Sequence, residues 1–263
     1  WVDDKGWNAG VAPIGKDGAS AAQDLQLLLA LQAATQLEQQ TGMTAFVSQY
    51  AARVSQLQQT VRSKYRDRAR NLFADTREHE TYSQHCNALA ILTGVVNGKE
   101  ATQLANSLLA DTSLSKASVY FRYYLHQAID KAGLGDRYLS LLGKWRENLQ
   151  MGMTTWAEME DVNRSRSDCH AWGSSPNIEL FRIVLGIDSD SPGFEKVRIT
   201  PHPGSLKNLT GSMPHPKGEI RVSYHQQPGG NWKVEIDLPG VAGKFFWKGK
   251  AYPLTAGHNS FTL

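Results

Sequence analysis

The stretch that decides the fold runs from residue 178 to residue 200 and reads IELFRIVLGIDSDSPGFEKVRIT. In its first part, Ile178 to Leu185, apolar residues recur at the spacing of one helix face. Gly186 follows at a position where a helix would end. In its last part, Lys196 to Thr200, polar and apolar side chains alternate as they do in a strand. The stretch therefore predicts a change from helices to strands near residue 190.

The residues before this stretch have the patterns of helices. The segment from about Ala21 to Gln40 is apolar on most sides, which predicts a buried helix. Further helices are predicted by the segments 46–68, 83–96, 100–110, 118–132 and 138–149. Buried helices that alternate with amphipathic ones indicate two layers, as in an α/α barrel or a stacked array of helical hairpins. About seven helices are too few for six hairpins, so we expect a barrel that is incomplete on its N-terminal side.

The residues after this stretch have the alternation of short strands. The four clearest are 196–200, 219–225, 232–238 and 244–248, separated by turns rich in Pro and Gly. Strands with this spacing predict a small antiparallel β-sandwich. The expected fold is thus multidomain, α and then β: a partial (α/α)6 barrel over residues 1–190 and a β-sandwich over residues 191–263.

The composition excludes several classes of protein. The 263 residues are 41% hydrophobic and 20% charged, with a formal net charge of +3. This is the composition of a folded globular protein, and its spread charges give no nucleic-acid footprint. No apolar run has the roughly 18 residues that a membrane span needs. The chain begins with Trp1 and has no initiator Met or signal peptide, so we expect a mature or truncated product.

The densest group of polar and aromatic residues lies between two predicted helices, at residues 154–176: TTWAEMEDVNRSRSDCHAWGSSP. A connection of this length in a compact domain is usually functional or disordered, and its aromatic residues argue against disorder. Carboxylates that bind hydroxyl groups and tryptophan rings that stack on sugars are a plausible inventory for a carbohydrate site. Glycoside hydrolysis needs two carboxyl groups, and Glu158 is the candidate for one of them.

Several segments resemble glycoside hydrolase family 78, the α-L-rhamnosidases, over essentially the whole chain. They are TTWAEM, RSDCHAWGSSP, IELFRIVLGI, SQHCNALAIL and GSMPHPKGEIRVSY. The resemblance implies an (α/α)6 barrel and an inverting mechanism on terminal α-L-rhamnose. It implies no cofactor, a bacterial source, and a periplasmic or secreted location.

The resemblance also implies roles for individual residues. Glu158 matches the general base of the family and His170 matches a residue that contacts the sugar. WVDDKGWNAG at the start resembles a strip that lines the sugar pocket, with Asp3 at its Asp and Asp4 at a position where the family has Trp. Trp7 is then a candidate for the ring in the pocket, or packs as a hydrophobic residue. No segment matches the family's general acid, so we expect the isolated chain to have little activity.

Other residues were open to two interpretations. Trp172 either stacks on substrate or packs beneath the loop. His85 fits a structural residue of a buried helix better than a ligand. Cys169 fits a small buried hydrophobic residue, and with His170 it lacks the partners that a metal site needs.

The alternatives in function and partner stay open at this point. The chain could come from another α/α-barrel exo-glycosidase or lyase, or be a non-catalytic carbohydrate-binding module. We expect a carbohydrate with terminal rhamnose as substrate. Apolar faces left exposed on a partial barrel also predict self-association or a complementary upstream chain.

Overall fold

The computed structural model describes Trp7 and residues 10–263. These residues form two compact units. The helical unit contains the described residues up to Leu134 and Asn148–Gly173. The β unit contains Gly135–Glu147 and Ser174–Leu263. The predicted order of helices and then β-sheets is confirmed.

Five helices make up most of the helical unit: α1 (Ala21–Thr41), α2 (Thr44–Tyr65), α3 (Gln84–Leu92), α4 (Gly98–Ala110) and α5 (Val119–Ile129). A short antiparallel pair, β1 (Arg66–Asp67) and β2 (Leu72–Phe73), follows α2. A π-helical turn (Asp130–Leu134) and then a 3-10 turn (Gly135–Arg137) follow α5. The chain then forms α6 (Tyr138–Leu141) and α7 (Gly143–Gln150), so the helix predicted over 138–149 is interrupted at Leu142.

Helix α3 is the centre of the helical unit. Its eight residues from Gln84 to Ile91 are all buried, and it packs against α1, α4 and α5. Ser83 begins the helix because its hydroxyl accepts a hydrogen bond from the Cys86 amide at 3.2 Å, which is the role of an N-cap residue. The helix ends before Gly94, which adopts a φ of 68° in the left-handed region that glycine tolerates.

The prediction that α1 is buried on most sides is wrong. Its buried residues are Ala21, Ala22, Leu25 and Leu28, all in the first half of the helix. Leu27 is 53% exposed and Leu37 is 60% exposed. Helix α1 packs against α2 and α3, and these neighbours cover one side of it only. In α1, apolar residues on most sides of the helix therefore do not mean that the helix is buried on those sides.

The β unit is a sandwich-type arrangement of two four-stranded sheets. Along the chain it is preceded by a short helical turn at Ala171–Ser174. Helix α8 (Ser175–Glu179) and further helical turns at Leu180–Val184 and Pro192–Phe194 follow. The strands are β3 (Ile187–Ser189), β4 (Lys196–Ile199), β5 (Asn208–His215), β6 (Gly218–Gln226), β7 (Trp232–Leu238), β8 (Ala242–Trp247), β9 (Lys250–Leu254) and β10 (Gly257–Thr262). Their orders are β10-β7-β6-β5 and β3-β4-β8-β9.

Alternation along the strands builds the core of the β unit. In β7 the residues Trp232, Val234 and Ile236 are buried while Lys233 is exposed. One pair of strands departs from the predicted antiparallel pattern, since β4 and β8 run parallel. Strands β3, β5, β9 and β10 were not among the four predicted, because they are short, polar or interrupted by Gly and Pro. In the described part of the chain, no helix is long and apolar enough to cross a membrane.

Gly186 gives a test of how the β unit is held at its first strand. It has a φ of 76°, and a Cβ atom there would lie 2.2 Å from the carbonyl carbon of Thr200. We expect Gly186→Ala to lower the free energy of unfolding by about 3 kcal/mol or more, because backbone strain and a backbone clash add together. Urea denaturation followed by tryptophan fluorescence measures this.

Gly257→Ala is the matched control for this prediction. Gly257 has a φ of 85°, and nothing lies within 4 Å of the position of its Cβ. Only the conformational cost then applies, which is about 1 kcal/mol. Equal destabilisation by the two substitutions would contradict the close approach of Gly186 to Thr200.

Candidate active site

The loop predicted to carry function is ordered by its own hydrogen bonds. The amide of His170 donates to the Trp156 carbonyl at 2.9 Å, and the amide of Glu158 donates to the Ser167 carbonyl at 2.9 Å. These bonds hold the two arms of the loop side by side. Gly173 closes the loop, since a Cβ atom there would lie 2.8 Å from the Cβ of Trp156. The loop is therefore a fixed platform for the side chains that it carries.

Helix α5 anchors this loop through an ion pair and an aromatic contact. Arg122 on α5 pairs with Glu160 of the loop at 2.5 Å, and their side chains are 20% and 12% exposed. The ring of Tyr120 meets the edge of Trp172, with 5.3 Å between ring centroids. Because α5 is fixed by buried Phe121, these contacts fix the loop against the helical core.

Glu158 is a nearly buried carboxylate with a cationic partner. Its side chain is 4% exposed and pairs with the guanidinium of Arg166, which is 77% exposed. Nε of Arg166 donates to Oε2 at 3.2 Å and Nη2 donates to Oε1. Hydrogen bonding and charge from Arg166, together with the charge of His170, lower the pKa of Glu158 against the opposing effect of its burial. The carboxyl group is therefore held in its ionised form.

His170 and Trp172 lie beside Glu158 in the same loop. Their rings are 3.9 Å apart between centroids, and the indole N–H of Trp172 donates to the carbonyl of Glu158 at 2.8 Å. Trp172 is 38% exposed, so it combines a structural hydrogen bond with a ring that solvent reaches. The structure thus brings Glu158, His170 and Trp172 together at one end of α5.

A continuous series of rings links this group to Trp7. Trp7 is 4% exposed and stacks on buried His85 at 3.9 Å. His85 contacts Phe121 at 4.5 Å. The series goes on to the group around Trp172 through Tyr124 and Tyr120. His85 is therefore the buried structural residue that the sequence indicated. Asp3 lies outside the described residues.

The sequence missed three residues of this site: Tyr120, Arg122 and Tyr124. The signal that could have found them is the aromatic run VYFRYYLH at residues 119–126. Positions 120 and 124 are one helical turn apart, so both rings face the same side of α5.

The prediction that Cys169 is buried is wrong, since its side chain is exposed. Its neighbours in the loop are exposed or half-buried as well, so this part of the loop lies at the surface. Across Trp7 and residues 10–263, no three His, Cys, Asp or Glu residues are grouped so that they could hold a metal ion.

Comparison with known proteins gives one family match. Residues 186–242, from Gly186 to the first residue of β8, match the bacterial alpha-L-rhamnosidase C-terminal domain. A search of curated proteins finds no match.

Solved structures share the fold along most of the chain. The family 78 rhamnosidase of Bacillus sp. GL1 has a TM-score of 0.79 at 24% identity, covering 93% of this chain and 29% of that one. The α-L-rhamnosidase of Aspergillus terreus has a TM-score of 0.79 at 16% identity, covering 99% and 31%. The α-L-rhamnosidase of Streptomyces avermitilis, complexed with L-rhamnose, has 0.75 at 15%, covering 91% and 26%. This chain therefore spans less than a third of each of them.

The helices followed by two β-sheets share their fold with part of each of these α-L-rhamnosidases. Residues 186–242 are similar to the C-terminal domain of bacterial alpha-L-rhamnosidases, in agreement with the resemblance seen in the sequence. Because one of the similar structures is from a fungus, the bacterial source stays a prediction.

The ion pair of Glu158 gives a test of the site's electrostatics. We expect Arg166→Ala to raise the pKa of Glu158, because its largest stabilising partner is removed. As the pH is lowered, Glu158 of the variant therefore becomes protonated at a higher pH than Glu158 of the wild-type chain. Titration of the glutamate carboxyl carbons by ¹³C NMR measures the change.

The matched control is Arg164→Ala in the same loop. Arg164 is 82% exposed and pairs with Asp161 at 3.6 Å instead of with Glu158. Its removal should leave the Glu158 titration where it was. If the pKa of Glu158 is the same in Arg166→Ala as in the wild-type chain, the ion pair does not keep this carboxylate ionised in solution.

Proposed function

We propose that this chain supplies the general base of an α-L-rhamnosidase that hydrolyses terminal α-L-rhamnose with inversion. The observation that carries the proposal is Glu158: a nearly buried carboxylate whose pKa is lowered, beside His170 and the partly exposed ring of Trp172. A general base must be ionised to accept a proton, whereas a general acid needs a raised pKa. The family match and the rhamnose-bound relative of the same fold support the choice of sugar.

The proposed step divides the work between two carboxyl groups. Glu158 accepts a proton from a water molecule while the oxygen of that water attacks the anomeric carbon. The glycosidic bond breaks, and an acid on the other side of the sugar protonates the leaving oxygen. In inverting enzymes the two carboxyl groups stand roughly 6.5–9.5 Å apart to leave room for this water. We propose His170 and Trp172 as sugar contacts, with Asp3 and Trp7 as further candidates.

Arg166 has a role in this proposal because it occupies both oxygens of Glu158. The Arg166 side chain is largely exposed, while the Glu158 carboxylate beneath it is not. For a water molecule to reach Glu158, the guanidinium has to release at least one oxygen. A change of rotamer of the exposed Arg166 side chain would release such an oxygen. The arginine would then keep the base ionised without closing the site permanently.

Glu158→Gln tests the base directly. We expect the variant to lose about 10²-fold or more of the turnover of an aryl α-L-rhamnoside, because an amide accepts no proton from water. Binding of L-rhamnose should persist, since the amide keeps the shape of the side chain. Release of 4-nitrophenol measures the turnover. Glu147→Gln, at an exposed glutamate of α7 that pairs with Lys144, is the control and should retain full turnover.

The leaving group tests whether the acid is absent from these residues. We propose that the 263 residues alone turn over an aryl rhamnoside slowly and methyl α-L-rhamnoside not measurably. A nitrophenolate leaves without help from an acid, whereas an alkoxide needs protonation worth about 10²–10⁴ in rate.

The outcomes separate the open functions. Fast cleavage of the methyl rhamnoside would place the acid within this chain and contradict the division proposed above. Rhamnose binding with no Glu158-dependent turnover on either substrate would instead indicate a carbohydrate-binding module. Self-association and a complementary upstream chain stay predictions.

A further inference from the structure

The β unit contains a pocket that the proposed function does not use. Its volume is about 690 Å³, and it lies where the Thr200–Ser205 segment meets the turn between β8 and β9. The indoles of Trp232 and Trp247 line it together with the ring of Phe246. The two indoles meet edge to face at 5.4 Å between centroids. Pro201 and Pro203 extend the apolar wall.

Three ionisable side chains lie among these apolar surfaces: Asp136, His202 and Lys248. The carboxylate of Asp136 is 65% exposed and lies 4.0 Å from Nδ1 of His202. The Lys248 ammonium lies 5.8 Å from the centre of the Trp247 ring. With one carboxylate and one ammonium the lining has no net charge, which favours an uncharged ligand that accepts and donates hydrogen bonds.

The backbone around the pocket is preformed. The amide of Gly204 donates to Oδ1 of Asp136 at 2.9 Å. Gly204 has a φ of 57°, and a Cβ atom there would lie 2.8 Å from the Asp136 carbonyl oxygen. Only glycine allows this approach. The amide of His202 donates to the Ile183 carbonyl at 3.0 Å, which fixes the same segment from its other side.

The opposite wall is equally constrained. Lys248 and Gly249 form the two-residue turn between β8 and β9, with φ values of 46° and 80°. Two successive residues with positive φ are the signature of a type I′ hairpin turn, whose geometry is rigid. A site that is shaped before it binds loses less conformational entropy on binding.

We propose that this pocket of the β unit binds a neutral 6-deoxyhexose ring. Apolar walls with a few convergent polar groups are the general form of a small-molecule site. Aromatic rings pack on the C–H faces of sugars, while carboxylate, imidazole and ammonium groups bind their hydroxyls. A 6-deoxy sugar replaces one hydroxyl by hydrogen, and its methyl group suits a pocket lined by indole, phenyl and proline. The proposal does not depend on Glu158, which belongs to the helical unit.

The probe is methyl α-L-rhamnopyranoside, compared with methyl α-L-mannopyranoside, which differs only by a hydroxyl at C6. The 263-residue chain carries Trp172→Ala as background, so that the loop of the helical unit contributes no stacking. Binding is followed through the indole N–H resonances in ¹H–¹⁵N spectra. We expect a dissociation constant on the order of 1–10 mM for the rhamnoside, and binding of the mannoside several-fold weaker.

Two variants locate the binding. Asp136→Asn removes the charge while keeping an acceptor for the Gly204 amide, and Phe246→Leu removes the ring while keeping an apolar side chain. Each should weaken rhamnoside binding at least fivefold. His225→Ala is the control, because His225 is a half-buried residue of β6 that contacts Asn208 and does not line the pocket. Thermal unfolding checks that all variants are folded. If a variant is not folded, the shifts of the indole N–H resonances in the chain without that substitution, on addition of the rhamnoside, test the proposal.

Each remaining outcome overturns the proposal. Absence of saturable shifts for the rhamnoside would show that the pocket does not bind such a ring. Binding that survives both Asp136→Asn and Phe246→Leu would place the sugar elsewhere. Equal affinity for rhamnoside and mannoside would remove the role of the methyl group. Tighter binding of free 4-nitrophenol through the same residues would show a site for flat apolar molecules instead.

Discussion

Burial of α3 on every side is the constraint on which the helical unit depends. Its residues from Gln84 to Ile91 have neighbours all around, so even polar side chains there must be satisfied internally. Asn87 meets this demand by exchanging hydrogen bonds with the backbone of Phe73 at 2.8 and 3.0 Å. His85 stacks between Trp7 and Phe121. It thereby lies on the ring series that leads from Trp7 to Trp172, beside the candidate base.

Electrostatics then decide what the loop is able to do. A nearly buried carboxylate without a partner would be expected to take up a proton, because burial disfavours the charged form. Arg166 reverses this for Glu158, and its own exposure keeps the cost of desolvating the pair low. Asp75 in the core shows the contrast. Burial raises its pKa, although Ser83 donates a hydrogen bond to it. Two buried acids in one unit therefore differ because only one has a cation as its hydrogen-bond partner.

The candidate site was partly visible in the sequence because Glu158, His170 and Trp172 belong to one continuous segment. Their separation of 12 to 14 positions is short enough for a single loop to bring them together. Tyr120 and Arg122 were missed because they reach the loop from 38 or more positions away, and such a pairing depends on how α5 packs. Cys169 was misjudged for a related reason, since composition does not tell which side of a loop arm faces the core.

The sequence by itself determined the order of helices and strands and the change from helices to strands near residue 190. Local spacing carries this information, because the 3.6-residue period of a helix and the two-residue period of a strand are written in neighbouring residues. The tertiary structure decided the parallel pairing of β4 with β8, the exposure of Leu27 and Leu37, and the ion pair of Arg122 with Glu160. Each of these is set by which elements meet, and a contact between distant segments leaves no period in the chain.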